Sequence, residues 1–320
     1  MQKFFKKILL GITLPQEYLC VNLEEFSDPL KIVITPSDSI KELDITDHHL
    51  FIGYKPLLIA IDKDFLPDGN YYNSGKLKLS FRTKDDLEVA SLVIRLVQKV
   101  KLNSTTCLLF EGEKGIHSFD NPVHKFINAL RYNLTAERKK NIFLPGNLYD
   151  QVKIAYSIPR KICLTTVSSG NLINIFPIDI SGPLNEKHFI ISLRSSGKAN
   201  RQIEYKKNCL VSIMDANSSK EVYNAGKNHM RELSVPDKLG ISLRNETSDR
   251  LKFPIPSGAI KYYELEKIDK FEIGIHTIYY FNIVNSVILS HKKNVLAHIH
   301  RDYAQWREKN NITTSYLMNK

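Results

Sequence analysis

Apolar and polar residues alternate in short runs along most of the chain, the period-two pattern of strands with one buried face. In the first half, residues 30–35, 50–54, 57–62 and 77–81 are β-branched or alternating runs separated by Pro, Asp, Asn and Gly. Thr83-Lys84-Asp85-Asp86 has the form of a capping box and predicts a helix running from there to about Val100. Asn121 before Pro122 predicts a second helix to about Asn133, with Val123, Phe126, Ile127 and Leu130 on one face. The charge run Arg138-Lys139-Lys140, followed by Pro145-Gly146, extends neither element and predicts a domain boundary, with residues 1–145 before it and 146–320 after it. The second half is mostly strand, over 162–167, 172–176, 189–193, 210–214, 259–266 and 276–288. Short helices are predicted near Ser196 and from the capping box Ser218-Ser219-Lys220-Glu221, and a last one over 295–309 with Tyr303 and Trp306 as packing anchors. Many short strands with few helices predict an α+β chain whose C-terminal half is a small antiparallel barrel or sandwich. Its N-terminal half is expected to be a smaller mixed α+β domain. No stretch repeats another, and there is no low-complexity tract.

At 320 residues, the chain is long for one core, which agrees with two domains. No apolar run reaches the roughly 20 residues needed to span a bilayer, so no membrane partner is expected. Lys3, Lys6 and Lys7 precede Ile8-Leu9-Leu10 in the manner of a leader, but the run is short, Gly11 and Thr13 interrupt it, and no small-residue cleavage site follows. It reads as an amphipathic segment. Cys20, Cys107, Cys163 and Cys209 are scattered without paired spacing, which predicts buried thiols in a reducing compartment, the cytoplasm. The net charge of +11 is uneven: residues 1–150 hold 20 Lys+Arg against 19 Asp+Glu, and residues 151–320 hold 25 against 15. A basic half suits a phosphate-bearing cofactor, an anionic substrate or nucleic acid, and equally a solubilising surface. Dispersed Lys and Arg without interleaved aromatics argue against nucleic acid.

Several sites are excluded by what is missing. There is no GxGxxG after a strand, no GxxxxGK[ST], no HExxH and no CxxC, so Rossmann, P-loop and zinc sites are not expected. His48-His49 and His298-Ile299-His300 have no carboxylate or thiol at ligand spacing, and read as exposed or capping residues. The positive signal is Arg194-Ser195-Ser196-Gly197-Lys198-Ala199-Asn200-Arg201, a hydroxyl-rich turn with three cations that opens a helix. Unpaired N–H groups and a positive dipole end suit a phosphate monoester, although a solvated helix start has the same composition. Upstream, Pro177 within a β run removes a ladder donor and marks an edge or a strand end.

The order Ile158-Pro159, Cys163-Leu164-Thr165-Thr166, Asn174-Ile175-Phe176-Pro177, Phe189-Ile190-Ile191-Ser192-Leu193, the Ser-rich turn and Cys209-Leu210-Val211-Ser212-Ile213 resembles the flavin reductase-like, FMN-binding split-barrel family. Asp237-Lys238-Leu239-Gly240, Phe253-Pro254-Ile255-Pro256 and Gly274-Ile275-His276 continue the resemblance, which spans about residues 147–290. It implies a Greek-key split β-barrel, a homodimer, and FMN near the subunit interface, reduced by NADH or NADPH. By the same resemblance, Thr165, Thr166, Asn174, Ile175, Phe176, Pro177, Ile178 and Asp179 would border the flavin ring. Arg194, Ser195, Ser196, Lys198 and Asn200 would hold the phosphate, and His276 would face the flavin or the partner subunit. The family often has Thr where Asn200 stands and a small hydroxyl residue soon after Pro177, where this chain has Ile178 and Asp179. A non-enzymatic FMN-binding or electron-carrying protein of the same fold is the alternative. Residues 1–145 resemble no known family.

Overall fold

Two seven-stranded antiparallel sheets, one from each half of the chain, make the frame of the computed structural model. The structure describes residues 17–36, 41–67, 75–120, 144–291, 294–312 and 314–317. The amphipathic segment expected at the start and the helix expected over 121–133 lie outside the described residues.

The chain enters on β1 (Tyr18–Asn22) and then builds the first sheet from β2 (Lys31–Pro36), β3 (Leu43–Asp44), β4 (His49–Tyr54), β5 (Leu57–Asp62), β6 (Lys76–Arg82), β7 (Glu88–Lys101) and β8 (Thr106–His117). Helix α1 (Asn147–Ala155) and β9 (Arg160–Lys161) lead to the second sheet. That sheet comprises β10 (Cys163–Ser169), β11 (Leu172–Ile178), β12 (Ser181–Pro183), β13 (His188–Arg194), β14 (Asn208–Met214) and, after an insertion, β17 (Ala259–Ile273) and β18 (His276–Ile288). Helix α2 (Lys198–Tyr205) follows β13, and α3 (Ser219–Asn224) begins the insertion, which also carries the small pair β15 (Leu243–Thr247) and β16 (Pro254–Pro256). The chain returns through β19 (Leu296–His300), paired on one side with β1 and on the other with β9, and continues into α4 (Arg301–Lys309).

The first sheet runs β3-β2-β6-β7-β8-β5-β4 and the second β11-β10-β14-β17-β18-β13-β12. With the strands of each sheet numbered in chain order, both read 2-1-5-6-7-4-3. The repetition is one of topology, since no stretch of sequence repeats another.

One expected helix is a strand, and another begins as one. The segment after the Thr83 box is β7, and Thr83 to Asp86 is its entering turn, closed by Asp86 N–H donating to Thr83 O at 3.0 Å. The register of β7 shifts against β8 between Val93 and Ile94 and again between Leu96 and Gln98. Each bulge breaks the strict alternation, leaving an apolar spacing that mimics a helical face. Likewise the start of the expected 295–309 helix is β19, and the helix begins only at Arg301.

The core of the first sheet is closed by elements from the far end of the chain: Val152 and Ile154 of α1, with Ile299, Tyr303 and Trp306, join Ile59, Leu79 and Phe110. The second sheet buries Ala199 and Ile203 of α2 on one face and Val222 next to Ile175 and Leu210 on the other. All four cysteines are buried and unpaired. Among the described residues, no helix is long and apolar enough to cross a membrane.

Candidate flavin site

Arg194 ends β13 and His276 begins β18, and the two stand opposite each other in the ladder. Beyond Arg194 the backbone turns through Ser195, Ser196 and Gly197 into α2, with Gly197 N–H donating to Arg194 O at 3.0 Å. No side chain caps α2, so the N–H groups of its first turn have no partner within the helix. Gly197, Ala199 and Asn200 lie on the wall of a cavity of about 540 Å3, with Arg194 beside them. Pro177, Ile178 and Asp179 also line it. An adjoining cavity of about 440 Å3 shares Pro177, Asp179, His229 and His298.

The cavity wall also carries Tyr54, at the end of β4 in the other sheet. Arg194 Nε donates to the Tyr54 hydroxyl, and its guanidinium lies 5.5 Å from the ring centre. The Tyr54 ring meets His276 edge to face at 4.5 Å. Tyr54 N–H donates to His276 Nε2 at 3.2 Å, which leaves the proton on Nδ1, 3.3 Å from Ser192 Oγ. Burial, and after it the Arg194 charge, pushes His276 down to about 4, so the imidazole is neutral. His276 is fully buried and lies behind Ser192 and Tyr54, which form the wall.

Asp179 is partly exposed to the cavity, but its charge is answered locally. Its Oδ2 lies 3.1 Å from His298 Nδ1 and accepts from the Tyr156 hydroxyl at 2.9 Å. Burial would raise the carboxyl, but the His298 bond, followed by the charges of His298 and Arg160, outweighs it and holds the group at about 2. Burial would likewise lower His298, yet the Asp179 bond raises it to about 9. The two form an ion pair at neutral pH.

The remaining candidates divide by position. Asn200 is on the wall, but its side chain is committed: Nδ2 donates to Ser195 O at 3.2 Å, and Oδ1 accepts from Tyr279 OH at 2.9 Å. Ser195 Oγ pairs with Thr277 Oγ1 at 2.9 Å. Lys198 is bound to Glu232 at 2.8 Å, and neither it nor Ser196 lines the cavity. Thr165 and Thr166 are buried in β10, where the pleat sends them to opposite faces. Thr165 stands opposite Phe176 and Thr166 opposite Ile175, and neither hydroxyl has a protein partner. Asn174 Nδ2 donates to Gln202 Oε1 at 2.8 Å and to Asn228 O at 3.0 Å, which ties edge strand β11 to α2 and to the insertion. The Pro177 carbonyl is taken by His229 Nε2 at 2.6 Å.

Residues 156–307 match the family model described as the flavin reductase like domain. The C-terminal half of this chain is a flavin reductase-like domain. No curated protein matches the chain. Among solved structures, the NADH:FAD oxidoreductase SgcE6 of Streptomyces globisporus is 14% identical, covering 47% of this chain and 87% of its own, with a TM-score of 0.40. A putative flavin reductase of Haemophilus somnus is 16% identical over 52% of this chain and 97% of its own, at 0.40. An FMN-binding protein of Thermus thermophilus is 18% identical over 43% and 79%, at 0.38.

The cavity of the flavin reductase-like domain contains residues that sequence reasoning passed over: Tyr54, Tyr156, His229 and His298. Tyr54 reaches the site from 140 positions before Arg194, and nothing local to it signals a ligand. His298 was visible as half of a His pair, but its partner Asp179 is 119 positions away. In the other pair, His49 Nδ1 bonds Ile45 O at 2.9 Å and His48 stacks on Phe65, while His300 caps α4 through Asp302 N–H at 3.1 Å. Among the described residues no group of His, Cys, Asp and Glu is placed to hold a metal.

Proposed function

We propose that the cavity beside Arg194 is a flavin mononucleotide site, and that the chain is an oxidoreductase that draws reducing equivalents from NADH or NADPH and passes them to an acceptor. The observation that carries this reading is the uncapped start of α2 with Arg194 next to it, both on the wall of a 540 Å3 cavity, within a flavin reductase-like domain. That volume is within the range of small-molecule sites, roughly 300–1,000 Å3. A guanidinium beside unpaired helix N–H groups fits a phosphate monoester.

Flavin, when bound, supplies the hydride-accepting and electron-releasing chemistry, which the protein orients and tunes. Arg194 and the first-turn N–H groups would hold the phosphate. Asn200 and Ser195 would keep the turn in place, through Tyr279 and Thr277. Pro177, Ile178 and Asp179 would border the ring system, with Thr165, Thr166, Asn174, Ile175 and Phe176 supporting that wall from within the sheet. His276 is neutral and engaged at both ring nitrogens, so it positions Tyr54 and Ser192 rather than carrying a proton. Lys198, already paired with Glu232, would contribute only at long range.

Titration with FMN, followed by visible absorbance and flavin fluorescence, tests the site. Arg194→Ala is expected to lose about 1.5–3 kcal/mol, roughly ten- to a hundredfold in Kd, as for a hydrogen bond to a charged group. Lys198→Ala should change Kd by less than about threefold, because its exposed ion pair already screens it. Unchanged binding in Arg194→Ala would refute the phosphate assignment. Anaerobic bleaching of the bound flavin by NADH or NADPH separates an enzyme from a carrier of the same fold.

A further inference from the structure

The two sheets share more than a strand order. Asp62 ends β5 opposite Cys107 of β8, just as Arg194 ends β13 opposite His276 of β18. Counting back four residues from those strand ends gives Leu58 and Ile190, and counting on two from their ladder partners gives Leu109 and Ile278. All four of these residues belong to a single buried cluster between the sheets. Equivalent residues that meet one another are the signature of a two-fold interface. The third strands also abut: a Cβ on Gly182 of β12 would fall 2.8 Å from Leu50 Cδ2 of β4.

Contacts across the interface are reciprocal. The end of β4 carries Tyr54 to Arg194 and His276, and Ile275 N–H donates to Lys55 O at 3.2 Å. The loop after β12 carries Asn185 to the equivalent strand end, where its Nδ2 donates to Asp62 Oδ2. The chemistry at the two ends is opposite. Past Arg194 lies an uncapped α-helix; past Asp62 lies a single 3-10 turn (Lys63–Phe65) whose Asp64 N–H is taken by the Asp62 carboxylate at 3.1 Å. Thr105 Oγ1 also donates to that carboxylate. A carboxylate, already accepting from Asp64 N–H, Thr105 and Asn185, stands where the other sheet has a guanidinium, and its negative charge disfavours a phosphate there.

We propose that the β2–β8 sheet is a diverged second copy of the flavin-binding sheet that has given up its own anion site and acts as a built-in partner subunit, so that one chain carries one flavin site, completed by Tyr54. The number of flavins and the role of Tyr54 rest on the FMN reading given above; the built-in partner does not. It stands in place of the homodimer implied by the family resemblance.

Sedimentation velocity of the full chain, with and without FMN, gives the test. The expected result is a single 36.8 kDa chain that binds one FMN, with a Kd unchanged when the chain is diluted fifty-fold. Two FMN per chain, or a stable dimer that loses FMN as it dissociates, would overturn the proposal. Tyr54→Ala should weaken FMN binding about tenfold and change the spectrum of the bound flavin. Tyr54→Phe, which keeps the ring against His276, should recover most of that loss. Equal loss in both variants with a lowered melting temperature would reduce Tyr54 to a packing residue and remove the claim that it completes the site. If the wild type takes up no FMN, the flavin reading fails, and sedimentation without ligand still decides: a single chain upholds the built-in partner and a stable dimer overturns it.

Discussion

Asp179 places a carboxylate on the wall of a cavity proposed to take an anion, and His298 decides whether that charge is felt. The folded value of His298, about 9, is above its ordinary 6.5, so the stability it lends is complete below pH 6.5 and is lost as pH rises towards 9. For Asp179, at about 2 against 3.8, the contribution is complete above pH 3.8 and is lost as pH falls towards 2. The pair is therefore fully effective between about pH 4 and 6.5. Above pH 9 the imidazole is neutral, and Asp179 faces the cavity with only the Arg160 charge and the Tyr156 hydroxyl to offset it. Wild-type affinity for FMN should weaken across pH 8–10, whereas Asp179→Asn should show a flatter profile over that range. Parallel profiles in the two proteins would show that this carboxylate does not sense the ligand. The aspartate was readable in the sequence as a departure from the family pattern soon after Pro177. Its neutralising partner was not, because the contact joins residues far apart in the chain.

At the scale of elements, β17 holds its neighbouring loop through a buried charge. Glu264, with no exposed surface, accepts from Ser248 Oγ at 2.7 Å, Arg250 N–H at 3.1 Å and Asn285 Nδ2 at 2.8 Å. Burial alone would raise this carboxyl, but the hydrogen bonds, led by that from Leu251 N–H, hold it below its ordinary value. Glu264→Gln replaces one acceptor oxygen with a donor that faces donors, and should cost about 1–3 kcal/mol of stability in urea unfolding. A loss below 0.5 kcal/mol would mean that the loop is held by other contacts. The strands themselves were largely legible. Short apolar or alternating runs located β2, β4, β5, β6 and most of the second sheet, because each is bounded by polar turn residues, although β5, β13 and β14 are buried on both faces. It failed at β7, where two bulges break the alternation, and at β19, whose pairing with β1 joins residues nearly the whole chain apart. The start of α2 was legible from Gly197 and its cations, but the commitment of Lys198 to Glu232 and of Asn200 to Tyr279 depends on elements distant in sequence.

For the whole molecule, the sequence suggests a cut at Pro145-Gly146, yet the elements on either side of that point complete each other. Helices α1 and α4 lie beyond it, but their apolar residues close the core of the first sheet. A buried ion cluster ties them together: Lys153 of α1 is 2.9 Å from Asp302 of α4 and 3.5 Å from Asp120, just past β8. Arg307 of α4 is buried with its guanidinium on the carbonyls of Ser27, at 2.6 Å, and Asp28, at 3.1 Å. Expressed alone, residues 146–320 would keep the family-matched segment but leave β19 without β1, and would expose Ile190, Ile278, Ile299, Tyr303 and Trp306 together. Buried polar groups would lose partners at the same time, since Arg307 would give up both carbonyls and Lys153 would lose Asp120. Large apolar patches and orphaned buried charges each favour aggregation or a loosely packed state. The fragment should therefore be recovered mainly as insoluble protein, and any soluble part should lack the near-UV circular dichroism of packed aromatics. A soluble fragment that unfolds cooperatively would show that the first sheet is an accessory rather than half of the folding unit.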